Sequence, residues 1–139
     1  MDRRELILGA VGTIAATGAL SQVLAAGTAL AATPATKLVE TSTHCITTGL
    51  ACLAHCQQEL AKGNKAMADC QASVTDMLAA CQALQNLAGR GSPHTATLAK
   101  ACAQICADCA KTCETHQTMA VCKSCMDACK ACEQACQAA

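Results

Sequence analysis

Fourteen cysteines are spaced at helical intervals along this 139-residue chain, and all of them lie after residue 44. The last five follow one another in steps of three and four residues: Cys122, Cys125, Cys129, Cys132 and Cys136. Residues three and four apart lie on the same face of an α-helix, so these five sulfurs share one face. A helix normally buries its apolar face. The spacing therefore predicts helices that place thiols where other helical proteins place leucine.

Glycines mark the ends of the first two predicted helices. The first begins between residues 35 and 37 and ends at Gly63, and the second runs from about 65 to 88 and ends at Gly89–Gly91. On the first helix, the residues predicted to face the core are Leu38, Cys45, Cys52, Cys56 and Leu60. On the second, they are Cys70, Val74, Met77, Cys81, Leu84 and Ala88. Their helical spacing gives each helix one buried face.

A serine and a proline mark the start of the third predicted helix. Ser92 is the predicted N-cap and Pro93 the first helical residue, and the helix runs to about residue 115. The nine residues from Cys113 to Cys122 break the helical register, so a fourth helix follows, with Thr118 as its N-cap. No alternating β-branched run predicts a strand in the mature chain. Four helices with short connections predict an all-α, antiparallel up-down-up-down four-helix bundle with a cysteine-lined core.

The first 31 residues are predicted to be an export signal. Arg3 and Arg4 precede an uncharged stretch rich in alanine, glycine and leucine, which ends in a small-residue cleavage site at Ala29–Ala31. Paired arginines in this setting indicate the twin-arginine route, and hence an exported, periplasmic protein. A permanent membrane anchor is the alternative, because the stretch is long enough to span a bilayer. Its weak hydrophobicity and its cleavage site favour removal, which leaves residues 32–139 as a bundle domain with no membrane segment.

The composition excludes some functions and raises a question of stability. Ten basic and ten acidic residues balance, and the chain has no Phe, Tyr or Trp. Without a basic patch or aromatic rings, the chain lacks the usual means of binding nucleic acid. The missing rings also leave a core of small side chains that buries little apolar area. A domain of this size then needs disulfides or bound metal for stability.

A disulfide scaffold is the ordinary interpretation of a small exported chain rich in cysteine. Five pairs of cysteines four residues apart argue against disulfides within one helix: Cys52/Cys56, Cys102/Cys106, Cys109/Cys113, Cys125/Cys129 and Cys132/Cys136. Their Cβ atoms stand about 5–6 Å apart on a helix, whereas a disulfide needs about 3.5–4.5 Å. Two thiolates on one metal ion stand up to about 4.5 Å apart, so a bridging metal fits each pair better. Disulfides between helices remain open.

Thiolates select zinc, iron–sulfur clusters or Cu(I). Zinc prefers four converging ligands, and one Zn(II) bound by four thiolates leaves two negative charges buried in the core. A continuous line of cysteines along a helix face also does not divide naturally into separate sites with four ligands. Iron–sulfur ferredoxins use a Cys-x-x-Cys-x-x-Cys run that this chain lacks. One Cu(I) per thiolate gives a neutral core, so charge favours about one ion per cysteine, on the order of 12–15 per chain. The predicted ligands are Cys45, Cys52, Cys56, Cys70, Cys81, Cys102, Cys106, Cys109, Cys113, Cys122, Cys125, Cys129, Cys132 and Cys136.

Histidine and methionine also bind Cu(I), and several lie where one end of the bundle is predicted to open. The predicted metal-entry residues are His116, Met119, His55 and Met67, and Met77 is a predicted thioether ligand further along the second helix. His116 follows Cys113 by three residues and so continues the thiol face. A solvated histidine and a gap-filling methionine are the alternatives. For His55, Met67 and Met77 these alternatives are the preferred interpretation.

A twin-arginine leader followed by a four-helix bundle with Cys-x-x-x-Cys pairs on its inner faces resembles the bacterial copper storage proteins. The resemblance covers essentially the whole chain, and Arg3, Arg4 and the five cysteine pairs carry it. It implies many Cu(I) ions in the bundle core, assembly into tetramers and, in methane oxidisers, copper supply to the methane-oxidising enzyme. The second helix departs from the family pattern, because Cys70 and Cys81 lie three turns apart and need partners on neighbouring helices.

The leading hypothesis is a copper store with no catalytic residues, which releases Cu(I) to apo-cuproenzymes or to a chelator. Copper detoxification uses the same site chemistry and stays open as an alternative. A thiol oxidoreductase or electron carrier would need one or two special cysteines, where this chain has a uniform stripe. A disulfide-stabilised structural protein is the last alternative.

Overall fold

Four α-helices make up most of residues 31–139, the part of the chain that the computed structural model describes. They are α1 Pro34–Ala61, α2 Ala68–Gly89, α3 Thr95–Glu114 and α4 Ala120–Gln137, and one 3-10 turn, Lys65–Met67, precedes α2. No strand occurs in this range, which confirms the prediction of an all-α fold with four helices. No helix in the same range has the length and apolar character required to cross a membrane. Apart from Ala31, the predicted export signal lies outside the described residues.

The helices form a ring in which each one packs against two neighbours. Helix α1 packs against α2 and α4, and helix α3 packs against the same two, whereas the backbones of the diagonal pairs come no closer than 8 Å between Cα atoms, so that only core side chains meet across the diagonals. In the first half of α1, Cys45 lies beside Cys81, and nearer the end of α1 Cys56 lies beside Cys70. Positions that advance along α1 therefore meet positions that recede along α2. From this order we infer that these neighbouring helices run antiparallel.

Two glycines with left-handed backbone end α1 and α2, as the sequence predicts. Gly63 has φ +89° and Gly91 has φ +65°. After α1, the N–H of Gly63 donates to the carbonyl of Leu60 at 2.9 Å, and the next N–H donates to the carbonyl of Glu59 at 3.0 Å. The same pair of hydrogen bonds follows α2, around Gly91. Both helices thus end in a Schellman motif, which satisfies their last carbonyls.

The start of α3 differs from the prediction at Ser92 and Pro93. Helix α3 begins at Thr95, and His94 occupies the N-cap position. The carbonyl of Ser92 accepts the N–H of Thr95 at 3.1 Å, so residues 92–95 form a turn with proline at its second position. The Ser92 hydroxyl accepts the N–H of His94 at 3.3 Å. Serine and proline therefore build the turn that leads into the helix and not its first residues.

The start of α4 also differs from the prediction, because Thr118 does not cap it. The N-cap is Met119, whose backbone is extended, and no side chain accepts a hydrogen bond there. Thr118 lies within the preceding turn. Helix α2 begins at Ala68, three residues after its predicted start, because residues 65–67 wind more tightly as the 3-10 turn. The predicted end of the third helix near residue 115 agrees with the observed end at Glu114.

Sulfur dominates the core that the four helices enclose. All fourteen cysteines are buried, and none is more than 3% exposed. The predicted core face of α2, from Cys70 to Ala88, is buried throughout, and on α1 only Leu60 of the predicted face is half-buried. At the end of the bundle where α1 begins and α2 ends, the core changes to aliphatic side chains, including Leu38, Leu84 and Ala88.

Candidate metal centre

Five groups of cysteines bring three or four sulfurs within 4.8 Å of one another in the core of residues 31–139. The groups are Cys45/Cys81/Cys106/Cys132, Cys52/Cys56/Cys70, Cys52/Cys113/Cys125, Cys102/Cys132/Cys136 and Cys109/Cys125/Cys129. Three cysteines belong to two groups each, namely Cys52, Cys125 and Cys132. The groups are therefore linked to one another, and the core holds chains of neighbouring thiols in place of isolated sites.

The group of four contains one sulfur from each helix. Cys45 comes from α1, Cys81 from α2, Cys106 from α3 and Cys132 from α4. This layer also supplies partners for Cys81, the more isolated of the two cysteines on α2.

Distances between neighbouring sulfurs fall in a narrow range. Cys70 lies 3.7 Å from Cys113 and 4.0 Å from Cys52, and Cys81 lies 3.8 Å from both Cys102 and Cys106. All fourteen thiols are free, and these separations are far longer than a disulfide bond of about 2.05 Å. A metal ion with bonds of about 2.3 Å to each of two sulfurs separates them by about 3.8–4.0 Å at angles of about 110–120°. The separations between core sulfurs therefore suit bridging metal ions.

One pair within a helix tests the expectation for cysteines four residues apart. Cys102 and Cys106 on α3 have their sulfurs 3.9 Å apart. Side-chain rotation has therefore brought the sulfurs closer than the Cβ separation expected for this spacing, while the helix remains intact. The pair has the geometry of a two-sulfur clamp for a metal ion.

Burial keeps several core thiols protonated in the metal-free protein. Burial, with the nearby Cys52 thiolate as a second cause, raises the pKa of Cys122 to about 12 from the usual 9.0. The same two causes raise the pKa of Cys56. Where thiols cluster, neighbouring S–H groups donate hydrogen bonds to one thiolate and stabilise it. Hydrogen bonds from Cys102 and, to a smaller extent, Cys106 lower the pKa of Cys132 in this way. The metal-free core is thus mainly a set of neutral thiols that share weak hydrogen bonds.

Within the described part of the chain, no positive side chain balances the core. The buried polar side chains of residues 31–139 are the hydroxyls of Thr41 and Ser42, and both donate to carbonyls of α1 itself. The ion pairs lie on the surface, such as Lys123 with Asp127. Deprotonated thiols in this core would therefore be uncompensated, and burying such charges is costly. Any metal that fills the core must bring about one positive charge for each thiolate.

The structure places two of the predicted entry residues in contact. His55 of α1 and Met119, at the start of α4, have Nε2 and Sδ 2.9 Å apart, and both residues are half-buried. Met67 is fully buried and belongs to the core cluster. Cys56 directly follows His55 in α1, and Cys52 lies one turn further from this end of the helix. A nitrogen and two thioether sulfurs therefore lie at the end of the core where the α1–α2 and α3–α4 turns meet.

His116 lies near Met119 of this pair in the chain, and its carbonyl accepts the N–H of Met119 at 3.0 Å. It is half-buried and lines a surface cavity of about 440 Å³ between α2 and α3, together with Asp69, Asp108 and the core thiol Cys70. Met77 is fully buried in the core, and its methyl group packs against Gly49 of α1. The packing interpretation of Met77 thus agrees with its surroundings.

Two hydroxyl residues beside the thiols were not singled out from the sequence. Thr112 donates a hydrogen bond to the Ser73 hydroxyl at 2.9 Å across the α2–α3 contact, and its hydroxyl also lies 3.0 Å from the carbonyl of Cys109. In the sequence, Ser73 directly precedes the buried Val74 and Thr112 directly precedes Cys113, so both lie at the edge of a core face. That edge position is the only signal by which they could have been found.

Four helices around a core of buried, neighbouring thiols define a metal-binding bundle with many thiolate ligands. The sequence model of the family described as copper storage protein matches residues 31–139, and the chain belongs to this family. Its cysteine groups fit copper binding, and the family is one of storage and not of catalysis. A comparison with curated proteins found no match.

Proposed function

We propose that this protein stores Cu(I) at about one ion per cysteine and has no enzymatic activity. The observation that carries the proposal is a set of fourteen buried, linked thiols with no positive side chain among them in the described core. Monovalent copper neutralises each thiolate as it binds, and bridging ions fit sulfurs 3.7–4.0 Å apart. Because the empty thiols are small and apolar, the same fold accommodates an empty and a filled core.

The test is an anaerobic titration of the fully reduced protein with Cu(I) against a competing Cu(I) chelator. Saturation near one ion per cysteine, with tight binding throughout, is the expected result. Saturation at three or four ions would indicate separate metal sites. A lack of binding together with a low count of reactive thiols would indicate a disulfide-stabilised protein.

The group with one sulfur from each helix favours a second candidate, a single structural zinc ion. Four sulfurs within 4.8 Å of one another suit a tetrahedral site with four cysteine ligands. A variant in which Cys45, Cys81, Cys106 and Cys132 are all replaced by alanine separates the two candidates. A copper store loses roughly the share of its capacity that these four ligands provide, whereas a zinc protein loses its metal entirely.

We propose that copper enters at the end of the core where His55, Met119 and Met67 lie, and that His116 serves the adjacent cavity. Imidazole and thioether groups bind Cu(I) more weakly than thiolates do, so an ion passes inward to the first thiols. Replacing His55 by alanine is expected to slow copper uptake without changing the final capacity. The matched control is His94→Ala, which removes an exposed histidine at the start of α3. An equal effect of both substitutions on the uptake rate would contradict this entry site.

We also propose export by the twin-arginine route to the periplasm, assembly into tetramers and release of Cu(I) to apo-cuproenzymes or a chelator. The pair Arg3 and Arg4 and the family membership support these steps. Replacing both arginines by lysine is expected to leave the protein in the cytosol, which cell fractionation measures. Sedimentation of the purified protein measures its oligomeric state, and transfer of metal to an apo-cuproenzyme measures release.

A further inference from the structure

The surface cavity between α2 and α3 reaches the edge of the thiol core. It has a volume of about 440 Å³, and its lining includes Asp69, Asp108, His116 and Cys70. Cys70 is 1% exposed, whereas Asp69 and Asp108 are exposed, so the cysteine belongs to the inner wall and the carboxylates to the rim. Among the cysteines of the described chain, Cys70 alone lines this cavity. A ligand in the cavity is therefore next to one residue of the core.

The sulfur of Cys70 connects this wall to the other thiols. It lies 3.7 Å from the sulfur of Cys113 on α3 and 4.0 Å from that of Cys52 on α1. A copper ion on Cys70 can therefore be shared with either neighbour. The cavity lies at the same end of the core as His55, since Cys70 is in the first turn of α2, so it does not shorten the path from the thiols near Cys45.

The cavity is negatively charged toward solvent. A second cavity of about 300 Å³ continues along the same two helices, shares Asp69 and Asp108 with the first, and adds Asp76. Within residues 31–139, Lys111 is the only lysine or arginine that lines either cavity. The ion pairs of that range include none of these four side chains. The excess of carboxylates favours the approach of cations and disfavours that of anions.

The size of the cavity suits a small molecule and not only a bare ion. Pockets that hold small ligands in proteins have volumes of about 300–1,000 Å³, and this cavity falls within that range. Its wall also has polar groups, such as the hydroxyl of Thr112, which donates to Ser73 at 2.9 Å. The space and the adjacent thiol therefore fit a small copper ligand that exchanges with Cys70.

We infer that the α2–α3 cavity is an exchange site in which a small neutral or cationic thiol takes Cu(I) from Cys70. This inference rests on the proposed function. The copper–sulfur bond to Cys70 breaks as a bond from copper to the sulfur of the incoming thiol forms. The proton of the incoming thiol passes to the Cys70 thiolate, and copper remains Cu(I). His116 lines the same cavity and supplies a nitrogen that can hold the ion during the exchange.

The experiment measures how fast two small thiols of opposite charge remove copper from the loaded full chain. Cysteamine is cationic and thioglycolate is anionic, and a bulky sulfonated Cu(I) indicator reports the copper that either thiol releases. The rate with the indicator alone is the baseline. The ratio of the cysteamine rate to the thioglycolate rate is compared between proteins, because the intrinsic reactivities of the two thiols then cancel.

Replacing both Asp69 and Asp108 by asparagine is expected to lower this ratio by about fivefold. Both side chains are exposed, so the substitutions leave the core packing intact. The matched control is Glu40→Gln combined with Glu133→Gln, which removes the same charge toward the other end of the bundle. The control should keep the wild-type ratio.

A second pair of variants tests the thiol itself. Cys70→Ala should remove most of the increase that cysteamine gives over the baseline. The matched control is Cys122→Ala, which removes a similarly buried thiol that also contacts Cys52, at 3.8 Å, but is not part of the cavity wall. That variant should keep the cysteamine rate. If Cys70→Ala has lost helical circular dichroism, the aspartate variants still decide.

Two outcomes would overturn the exchange site while leaving copper storage intact. One is the same ratio of rates in the aspartate variant, its control and the wild type. The other is an equal cysteamine rate in Cys70→Ala and Cys122→Ala, which would mean that the cavity gives Cys70 no special access. A wild-type protein that fails to bind about one Cu(I) per cysteine would instead overturn the proposed function, and the exchange site with it.

Discussion

The close approach of α1 and α2 at Gly49 gives a direct test of core packing. A Cβ atom at residue 49 would lie 2.6 Å from the methyl carbon of Met77 and 3.0 Å from a methyl of Leu78. Ordinary carbon contacts are about 3.5–4.0 Å, so Gly49→Ala requires these side chains to move by roughly 1 Å. Overpacking of this kind costs about 1–3 kcal/mol, and alanine regains about 1 kcal/mol of helix propensity.

We therefore expect Gly49→Ala to lower the free energy of unfolding of the reduced, metal-free protein by about 1 kcal/mol. For a domain of about this size, that corresponds to a fall of about 4–8 °C in the melting temperature. Circular dichroism at 222 nm during heating measures it. The matched control is Gly89→Ala, where the added Cβ would meet only a methyl of Val39, at 3.9 Å. That substitution should leave the melting temperature unchanged or raise it.

A double mutant identifies the side chain responsible. If Met77 is the obstacle, Gly49→Ala should cost much less in a Met77→Ala background than in the wild type. An increase in melting temperature for Gly49→Ala, similar to that of Gly89→Ala, would refute the proposed contact between the helices. Full copper capacity in Met77→Leu would further indicate that Met77 packs and does not bind copper.

Three further predictions concern stability. The metal-free protein should lose stability between pH 9 and 12, because the Cys122 thiol titrates at 9.0 when unfolded and at about 12 when folded. Below pH 9 the Cys122 thiol is protonated in both the folded and the unfolded state, so its full contribution to the free energy of unfolding is present. Between pH 9 and 12 only the unfolded state loses this proton, and the free energy of unfolding falls by about 1.4 kcal/mol per pH unit for each such thiol. Urea unfolding at pH 8 and at pH 10.5 checks this, and equal midpoints would contradict it. Leu38→Ala should lower the free energy of unfolding by about 2–5 kcal/mol but leave the copper capacity unchanged, and a lost capacity would mean that the aliphatic end contributes to the metal site. Gly63→Ala should cost about 1–2 kcal/mol because its φ of +89° disfavours any side chain, and thermal unfolding that matches the wild type would argue against the Schellman motif.

The helical intervals between cysteines made most of the fold predictable. A step of three or four residues fixes which face of a helix a residue occupies, so the buried faces of α1 and α2 followed from the sequence. Gly63 and Gly91 were readable as helix ends because they supply the left-handed backbone that a Schellman motif requires. The roles of Ser92 and Thr118 were harder to predict, because serine and threonine can either cap a helix or form the turn before it. Which of the two occurs depends on the direction from which the chain enters the helix.

The arrangement of thiols across helices was not predictable from spacing. That Cys45 meets Cys81 depends on how far α1 and α2 are offset along their axes and how each is rotated, and the sequence of neither helix contains this information alone. The contact between His55 and Met119 has the same origin, since the two residues are 64 positions apart. Spacing within a helix indicated that a metal could be bound, but only the packing of four helices indicates which sulfurs it would join.

The two ends of the core differ in a way that gives storage a direction. One end has His55, Met119 and Met67, which are weak ligands for Cu(I), and the other has Leu38 and Leu84, which are none. Under the proposed entry at the end with His55, copper reaches Cys45 on α1 only after passing Cys56 and Cys52, and it leaves by the same path. Copper bound near Cys56 would then exchange readily with outside ligands, whereas copper bound near Cys45 would be a slower reserve. Removal of copper from the filled protein by a chelator in a fast phase and a slow phase is the behaviour that this order requires.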